Sequence, residues 1–131
     1  MKTEHEQAMM LWDAGVRPEG LDRDDRYPLW YLSGPDKARS EGWYETESKT
    51  ALAILEKAAM DETEASGFTV IPERFATCKG DIRISHYSVW REYYELCGSE
   101  HAVGCKLMTD NPTQYKTRAE ALAAAIKEVR V

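Results

Sequence analysis

The sequence predicts an α+β fold, a small and mostly antiparallel sheet with three helices packed on it. A run from Asp81 to Met108 has the pattern of two antiparallel strands. Two further segments, Ser48 to Met60 and Thr117 to Val129, carry apolar residues at helical spacing. A chain of 131 residues can bury roughly two thirds of its unfolded surface. We therefore expect one domain over 1–131, with a helix and a charged loop in 1–26 and the sheet-helix core in 27–131.

The C-terminal helix has the clearest signal. Thr117 is followed three residues later by Glu120, which is the capping box that satisfies two free backbone N–H groups at a helix start. Five apolar residues then fall on one face, namely Ala119, Leu122, Ala123, Ile126 and Val129. A helix this short is marginal in water by itself, so its apolar face must pack on the sheet.

The two strands before this helix are less regular. Ile82 and Ile84 alternate with polar residues, which is the period of a half-buried strand. The apolar phase shifts around His86, so we expect a bulge or a break there. Val103, Cys105 and Leu107 alternate in the return strand, and residues 97–101 form the loop between the two.

The N-terminal part begins with a second capping box, Thr3 and Glu6, which predicts a helix to about Ala14 with Gly15 as its C-terminal cap. The charged segment 16–26 is expected to be an exposed loop. A strand is predicted over 28–33, and Trp43 and Tyr44 follow a polar loop.

The middle of the chain predicts a helix capped by Thr46 or Ser48 and ending near Met60, with an exit over 61–64. A short strand over 68–71 follows, and Pro72 is expected to stop it and to place it at a sheet edge. The order of elements in 27–58 is echoed in 87–129, which indicates two ββα-like units in one layered sandwich.

Charge is unevenly distributed along the chain. The net charge is −6, and residues 1–66 carry 15 acidic and 8 basic side chains, whereas residues 67–131 carry 8 and 9. This balance argues against a strong phosphate-binding surface, which needs clustered Lys and Arg. No apolar run is long enough to cross a bilayer, and three cysteines without framework spacing favour a reducing compartment. We expect no membrane association and a cytoplasmic location.

A metal site is the first chemical possibility. Cys97, His101 and Cys105 supply thiolate and imidazole ligands of the kind that zinc prefers, at intervals of four residues. Zinc knuckles instead use paired cysteines, and a free cysteine is most often a small buried apolar residue. We favour structural cysteines and expect no cofactor.

An aromatic and arginine-bearing strand is the second possibility. Such a face can stack single-stranded bases or bind a protein. The candidate interaction residues are Tyr87, Trp90, Arg91, Tyr93, Tyr94 and Trp30. The alternative is that aromatic residues simply fill a core, and we expect core positions for Trp43 and Trp90.

Catalysis is not expected. The three histidines, His5, His86 and His101, show no spacing that would join a base to a nucleophile and an orienting group. Glycine-rich phosphate loops, metalloprotease motifs and nucleophile elbows are also missing from the sequence.

One segment carries a family resemblance. The run from Tyr44 to Lys57, a tyrosine, a small and acidic turn and an amphipathic helix ending in Glu-Lys, resembles the phage α-β-α sandwich domain family. The strand and helix from Tyr87 to Val131 fit the order of that family, so the resemblance covers about 43–131. It implies a three-layer α/β sandwich of bacteriophage or prophage origin and brings no catalytic residues.

These observations together predict a non-enzymatic phage accessory protein that acts as a protein-interaction module. Its partner would be an unidentified host or phage protein, or a second copy in a homodimer. Two alternatives remain open at this point. One is a single-stranded nucleic-acid-binding module that uses the aromatic strand, and the other is an acidic anti-defence inhibitor of a host enzyme.

Overall fold

A computed structural model describes residues 2–26, 29–33, 43–97, 101–108 and 114–130, with the side chains of 92–97 and 101–108 left out of the description. Its elements, in chain order, are α1 (Glu4–Asp13), β1 (Leu21–Asp24), β2 (Leu29–Ser33), β3 (Trp43–Thr46), α2 (Ser48–Ala65), β4 (Phe68–Ala76), β5 (Ile82–Cys97), β6 (His101–Met108) and α3 (Arg118–Val129).

The α+β class is confirmed, with antiparallel strand pairing in every described sheet. The strands form two separate three-stranded sheets rather than the single sheet that the sequence predicted. The first sheet has the order β1-β2-β3 and the second has the order β4-β5-β6. Each sheet is a simple meander followed by a helix, so the predicted echo is present as two βββα units.

Helix α3 forms as the sequence predicts. The Thr117 hydroxyl accepts a hydrogen bond from the Glu120 backbone N–H at 3.2 Å, and Leu122 and Ile126 are fully buried. Helix α1 has the same start, because the Thr3 hydroxyl accepts from the Glu6 N–H at 3.2 Å. Gly15 follows α1 with a φ of 101°, a left-handed conformation that favours glycine.

Helix α2 differs from the prediction at both ends. Its N-cap residue is Glu47, which makes no side-chain capping bond, so neither Thr46 nor Ser48 caps the helix. The helix also continues through the acidic segment 61–64 to Ala65. Within that extension Thr63 is buried, and its hydroxyl donates to the Met60 carbonyl at 3.1 Å.

The N-terminal segment belongs to the core rather than to an exposed loop. Val16 and Leu21 are buried, and β1 pairs with β2 so that Leu21 lies opposite Leu32. Ala8 and Leu11 of α1 pack in the same cluster as residues of α2 and α3. The prediction of an exposed loop over 16–26 was wrong because β1 has a single apolar residue, too few to show a strand period.

Trp30 of β2 is the largest fully buried side chain of the described residues. Its ring meets Trp12 of α1 edge-on, with the centroids 5.6 Å apart. The indole Nε1 donates to Nδ1 of His5 at 3.2 Å. Trp30 therefore joins the first sheet to α1, with its polar N–H satisfied as a buried indole requires.

The second sheet packs through one face on α2 and α3. Phe68 and Val89 of this face contact Ala121 and Ala125 of α3. The small alanine side chains let the helix lie close to the strands. Both helices lie on this face of the sheet, since Val70 contacts the cluster that contains α2 as well as the one that contains α3.

The predicted bulge is present. The β4–β5 register shifts after Glu73, which lies opposite His86, whereas Arg74 lies opposite Ile84. Ser85 is the extra residue. Strand β4 is an edge strand, as predicted, but it continues past Pro72 to Ala76. Pro72 is tolerated because an edge strand need not donate a hydrogen bond on its open side.

The described helices include none with an apolar stretch that could cross a membrane.

Candidate interaction surface

The aromatic residues predicted to form one interaction face do not share a face. Tyr87 and Trp90 are three residues apart on a regular part of β5, so their side chains point to opposite sides of the sheet. Tyr87 lies on the helix side, where the Arg118 guanidinium sits 5.7 Å from its ring. Trp90 is on the other side and partly buried. Arg91 is exposed, with its guanidinium 5.9 Å from the ring of Phe68.

Tyr93 and Tyr94 lie further along β5, opposite Cys105 and Gly104 of β6. Their side chains are outside the described residues, so their role remains a prediction.

The tryptophan expectations are reversed in the first sheet. Trp30, a predicted interaction residue, is fully buried, so it has no surface to offer a partner. Trp43, expected in the core, has 52% of its surface exposed. The reason is that Trp30 is on the sheet face covered by α1, whereas Trp43 is opposite exposed Ser33 on the edge strand β3, on the other face of the sheet.

The predicted zinc ligands lie on the β5–β6 hairpin. Cys97 is directly opposite His101, and Cys105 is four residues further along β6. Four residues of regular strand separate two Cα atoms by about 13 Å, so one ion could bind all three only if β6 bent locally. No metal-binding cluster of three Asp, Glu, His or Cys occurs among the side chains described, a set that leaves out these three. The preferred role of structural cysteines and the zinc alternative therefore both stay predictions.

A hydrogen-bonded chain crosses the face of the second sheet that points away from the helices. Ser88 Oγ donates to Glu73 Oε1 at 2.9 Å and accepts from Trp90 Nε1 at 2.8 Å. His86 is on the same face but its Nδ1 contacts Ser85 Oγ at 3.1 Å instead. The serine is thus bonded directly to the carboxylate, with no imidazole between them to act as a base. This chain has a structural role, since it satisfies buried Ser88 and the indole N–H.

A small cavity of 190 Å³ lies between α2, β4 and α3. Pockets that bind drug-sized ligands are usually 300–1,000 Å³. The Thr63 hydroxyl in its wall is already bonded to the Met60 carbonyl. Nearby, burial raises the pKa of the Glu56 carboxyl, and the positive charge of Arg118 opposes that shift. The cavity is a packing defect in a partly charged wall rather than a ligand site.

Three of the exposed large apolar side chains among the described residues lie toward the tip of the β4–β5 hairpin. Residues 74–85, which we name the arm, extend past the helices and are exposed on both faces apart from Thr77. Ile82 has 70% of its surface exposed, and Ile84 and Phe75 are about half exposed. Ile82 and Ile84 therefore do not belong to a half-buried strand, because no described element covers the hairpin at this level.

The two faces of the arm can be assigned from its register. Residues directly opposite each other in an antiparallel pair share a face. Ile84 lies opposite Arg74 and Ile82 lies opposite Ala76, so these four side chains share one face. Phe75 and Arg83 form a pair on the other face. Each face thus combines apolar area with one arginine.

The turn of the arm is well defined. The Thr77 N–H donates to the Asp81 carbonyl at 2.8 Å, and the Asp81 N–H donates to Thr77 Oγ1 at 3.2 Å. Gly80 has a φ of 87° within this turn. A closed turn and continuous pairing hold the arm as a hairpin, so its apolar residues are presented in a fixed geometry.

The outward face of the first sheet has the opposite character. Asp22, Tyr31 and Glu45 lie side by side across the three strands, since Asp22 is opposite Tyr31 and Tyr31 is opposite Glu45. Trp43 is two residues from Glu45 on β3, and Asp24 is two residues from Asp22 on β1, so both lie on the same face. We name these five residues the acidic face. An open cleft of 470 Å³ runs over part of it, with Tyr31 and Trp43 in its wall.

Two cations, Arg23 and Arg26, also line this cleft, together with Asp25. Arg23 points to the inner side of the sheet, opposite Trp30, and its guanidinium reaches Asp25 at 3.5 Å. The acidic face itself therefore carries three carboxylates and two aromatic rings.

The arm and the acidic face were not predicted from the sequence as sites. The only local pattern in the arm is the alternation of Ile82 and Ile84 with Arg83. This alternation is expected for a covered hairpin and for an uncovered one, so it does not distinguish them. Comparison of the chain with family models, with curated proteins and with solved structures finds no match.

Proposed function

We infer that the chain is a non-enzymatic protein-interaction module and that the arm is its binding element. The observation that supports this is the exposure of Ile82, at 70%, beside Ile84 and Phe75 on one projecting hairpin. Monomeric proteins seldom leave clustered apolar side chains in water, and such clusters mark interaction sites.

The backbone of the arm adds to this argument. Strand β4 is a sheet edge, and β6 pairs with β5 only from residue 90 onward. In the described part of the chain, residues 82–86 therefore pair with β4 alone. Unpaired strand edges can add a strand from a partner. The arm thus offers main-chain hydrogen bonds as well as apolar contacts.

The resemblance to the phage α-β-α sandwich domain family supports an accessory role in a phage or prophage, acting in the cytoplasm of the host. The single-stranded nucleic-acid alternative is less well supported, because Tyr87 and Trp90 lie on opposite faces of the second sheet and cannot stack bases along one strand. A gel shift at low salt tests that alternative, and a salt-dependent shift lost in W90A would favour it.

The test of the proposed function is a pull-down from host lysate with wild-type protein and with I82T/I84T. Threonine keeps the β-branched shape that suits a strand, so the hairpin should persist while its apolar surface is lost. The control is Y44T, which removes an exposed aromatic side chain outside the arm. We expect partners retained by wild type and Y44T to be lost by I82T/I84T. Equal recovery with all three proteins would contradict the proposal.

A further inference from the structure

We propose that the arm of one chain docks on the acidic face of a second copy, so that two chains associate reciprocally. This inference rests on the proposed function, because it names the occupant of the same binding element. It is carried by three features of the described residues: opposite charge, matching size and complementary apolar area.

The charges of the two surfaces are complementary. The arm carries Arg74, Lys79 and Arg83 against Asp81, a net charge of +2. Arg74 shares the face of Ile82 and Ile84 that would dock, whereas Arg83 is on the opposite face and would act at longer range. The acidic face carries Asp22, Asp24 and Glu45, a net charge of −3, which becomes −2 when the neighbouring Arg23, Asp25 and Arg26 of the cleft are included. Asp22 and Glu45 are exposed, and so are Arg74 and Arg83. Complementary potentials of this kind steer association and fix the orientation of the partners.

The dimensions of the two surfaces also agree. Neighbouring strands are about 4.8 Å apart, so the three strands of the first sheet span about 10 Å and the two strands of the arm span about 5 Å. The acidic face is four to five residues long, whereas each strand of the arm beyond the bulge contributes three residues. A two-stranded arm can therefore lie within a three-stranded face, at the separation of about 10 Å that packed sheets adopt.

Apolar contacts complete the match. Ile82, Ile84 and Ala76 would face Tyr31 and Trp43, and Arg74 shares the isoleucine face. An arginine placed over the ring of Trp43 would gain a cation–π contact in addition to its attraction to the carboxylates. Among the described residues of a single chain nothing covers either surface, since Trp43 and Ile82 are both more than half exposed.

Reciprocal docking explains why one chain should carry both surfaces. A two-fold axis makes the contact twice, which closes the assembly at two chains and leaves no unpaired arm. A single small contact of this size would be weak, and doubling it within one complex raises the overall affinity.

The test uses two charge-reversal variants and their mixture. R74E/R83E makes the arm negative, and D22K/E45K makes the face positive. In either variant alone, arm and face carry the same sign and should repel. In an equimolar mixture, each negative arm meets a positive face and each positive arm meets a negative face, so association should return as a heterodimer.

The measurement is sedimentation velocity over a concentration series, with circular dichroism to confirm that every variant is folded. We expect wild type to dimerise with a dissociation constant in the micromolar range. Each variant alone should have a dissociation constant at least about tenfold higher, and the mixture should recover most of the wild-type affinity. K49E/K127E, which reverses two exposed lysines on α2 and α3, is the control with the same change in net charge as R74E/R83E and should dimerise like wild type.

Three results would overturn the inference. They are a wild-type chain that stays monomeric at every concentration, a variant that dimerises like wild type, or a mixture that does not associate. Loss of lysate partners by I82T/I84T together with a monomeric wild type would show that the arm binds a different protein, so that this inference fails and the proposed function stands. If lysate partners are lost by D22K/E45K but kept by the arm variants, the acidic face would instead bind a basic host protein.

Discussion

The indole Nε1 of Trp30 donates a hydrogen bond to Nδ1 of His5 at 3.2 Å, between the first sheet and α1. Trp30 is fully buried, so its N–H has no access to water. The bond requires a lone pair on Nδ1, which places the ring proton of neutral His5 on Nε2. This contact, together with the edge-on packing of Trp12 against the same indole, attaches the first sheet to the helices.

Removal of the acceptor should therefore destabilise the protein. We expect H5A to lower the free energy of unfolding by about 1–3 kcal/mol, because a buried donor is left without a partner. W30F removes the donor and leaves a cavity. The combined variant should lose about 1 kcal/mol less than the sum of the two single variants, because the bond can be lost only once. Urea denaturation of the four proteins measures this coupling, and strict additivity would contradict it.

Gly15 packs against the Arg130 guanidinium at the end of α3, where an added Cβ would overlap the arginine side chain. Arg130 is in turn held by Glu62 of α2 through two hydrogen bonds of 3.1 Å. G15A combines displacement of this flexible, partly exposed guanidinium with an unfavourable φ of 101°, so we expect a loss slightly above the roughly 1–2 kcal/mol that a left-handed conformation costs.

The matched control for G15A is G80A in the turn of the arm. Gly80 has a similar φ of 87°, but an added Cβ there meets no atom within 4 Å. G80A should therefore show the conformational cost alone. G15A/R130A should regain the difference in stability between G15A and G80A. Equal losses for G15A and G80A in thermal denaturation would show that Arg130 imposes no steric limit.

The capping bonds give a third prediction. T117A should lower the free energy of unfolding by about 1 kcal/mol, because the hydroxyl that accepts from the Glu120 N–H is lost. S48A is the control, since α2 starts at Glu47 without a side-chain capping bond, and it should change stability by a few tenths of a kcal/mol at most. If S48A is as costly as T117A in the same assay, the assignment of the α2 start is incorrect.

The stability of the protein should depend on pH through Glu56. Burial raises the pKa of this carboxyl above its usual 4.5, so the folded chain holds the proton more tightly than the unfolded chain. The loss of folding stability caused by burying the charged carboxylate is fully present above the raised pKa. It disappears as pH falls below 4.5, where the carboxyl is protonated in both the folded and the unfolded chain. Replacement by glutamine removes the charge and with it the penalty.

We therefore expect E56Q to be more stable than wild type at pH 7 and to lose this advantage near pH 4. The exposed Glu128 of α3 provides the comparison, because E128Q should shift stability little between the two pH values. Denaturant unfolding at both pH values measures the difference. A gain in stability of E56Q that is larger at pH 4 than at pH 7 would reverse the predicted sign.

The predictable parts of the fold are those in which neighbouring residues determine the local structure. Thr117 and Glu120 fix the start of α3, and the apolar stripe behind them fixes its buried face. The bulge near His86 was predictable for the same reason, since the apolar phase of β5 changes there.

The rest depended on what covers each surface, which local patterns do not encode. Strand β1 was missed because Arg23 occupies an inner position opposite Trp30 that alternation assigns to an apolar residue. Trp30 and Trp43 were assigned to the wrong environments because their strands look alike in sequence, while only one of them lies under α1. The exposed arm was missed because Ile82 and Ile84 have the period of a covered strand.

Hydrogen exchange of the β5 amides of the arm, residues 82–85, at low and high protein concentration is the most direct test of this account. We predict fast exchange in dilute solution, where the hairpin projects from the body with a free edge, and slower exchange in concentrated solution, where a second copy covers it. Slow exchange already at high dilution would contradict a projecting arm, and exchange that is fast at both concentrations would contradict its docking on a second copy.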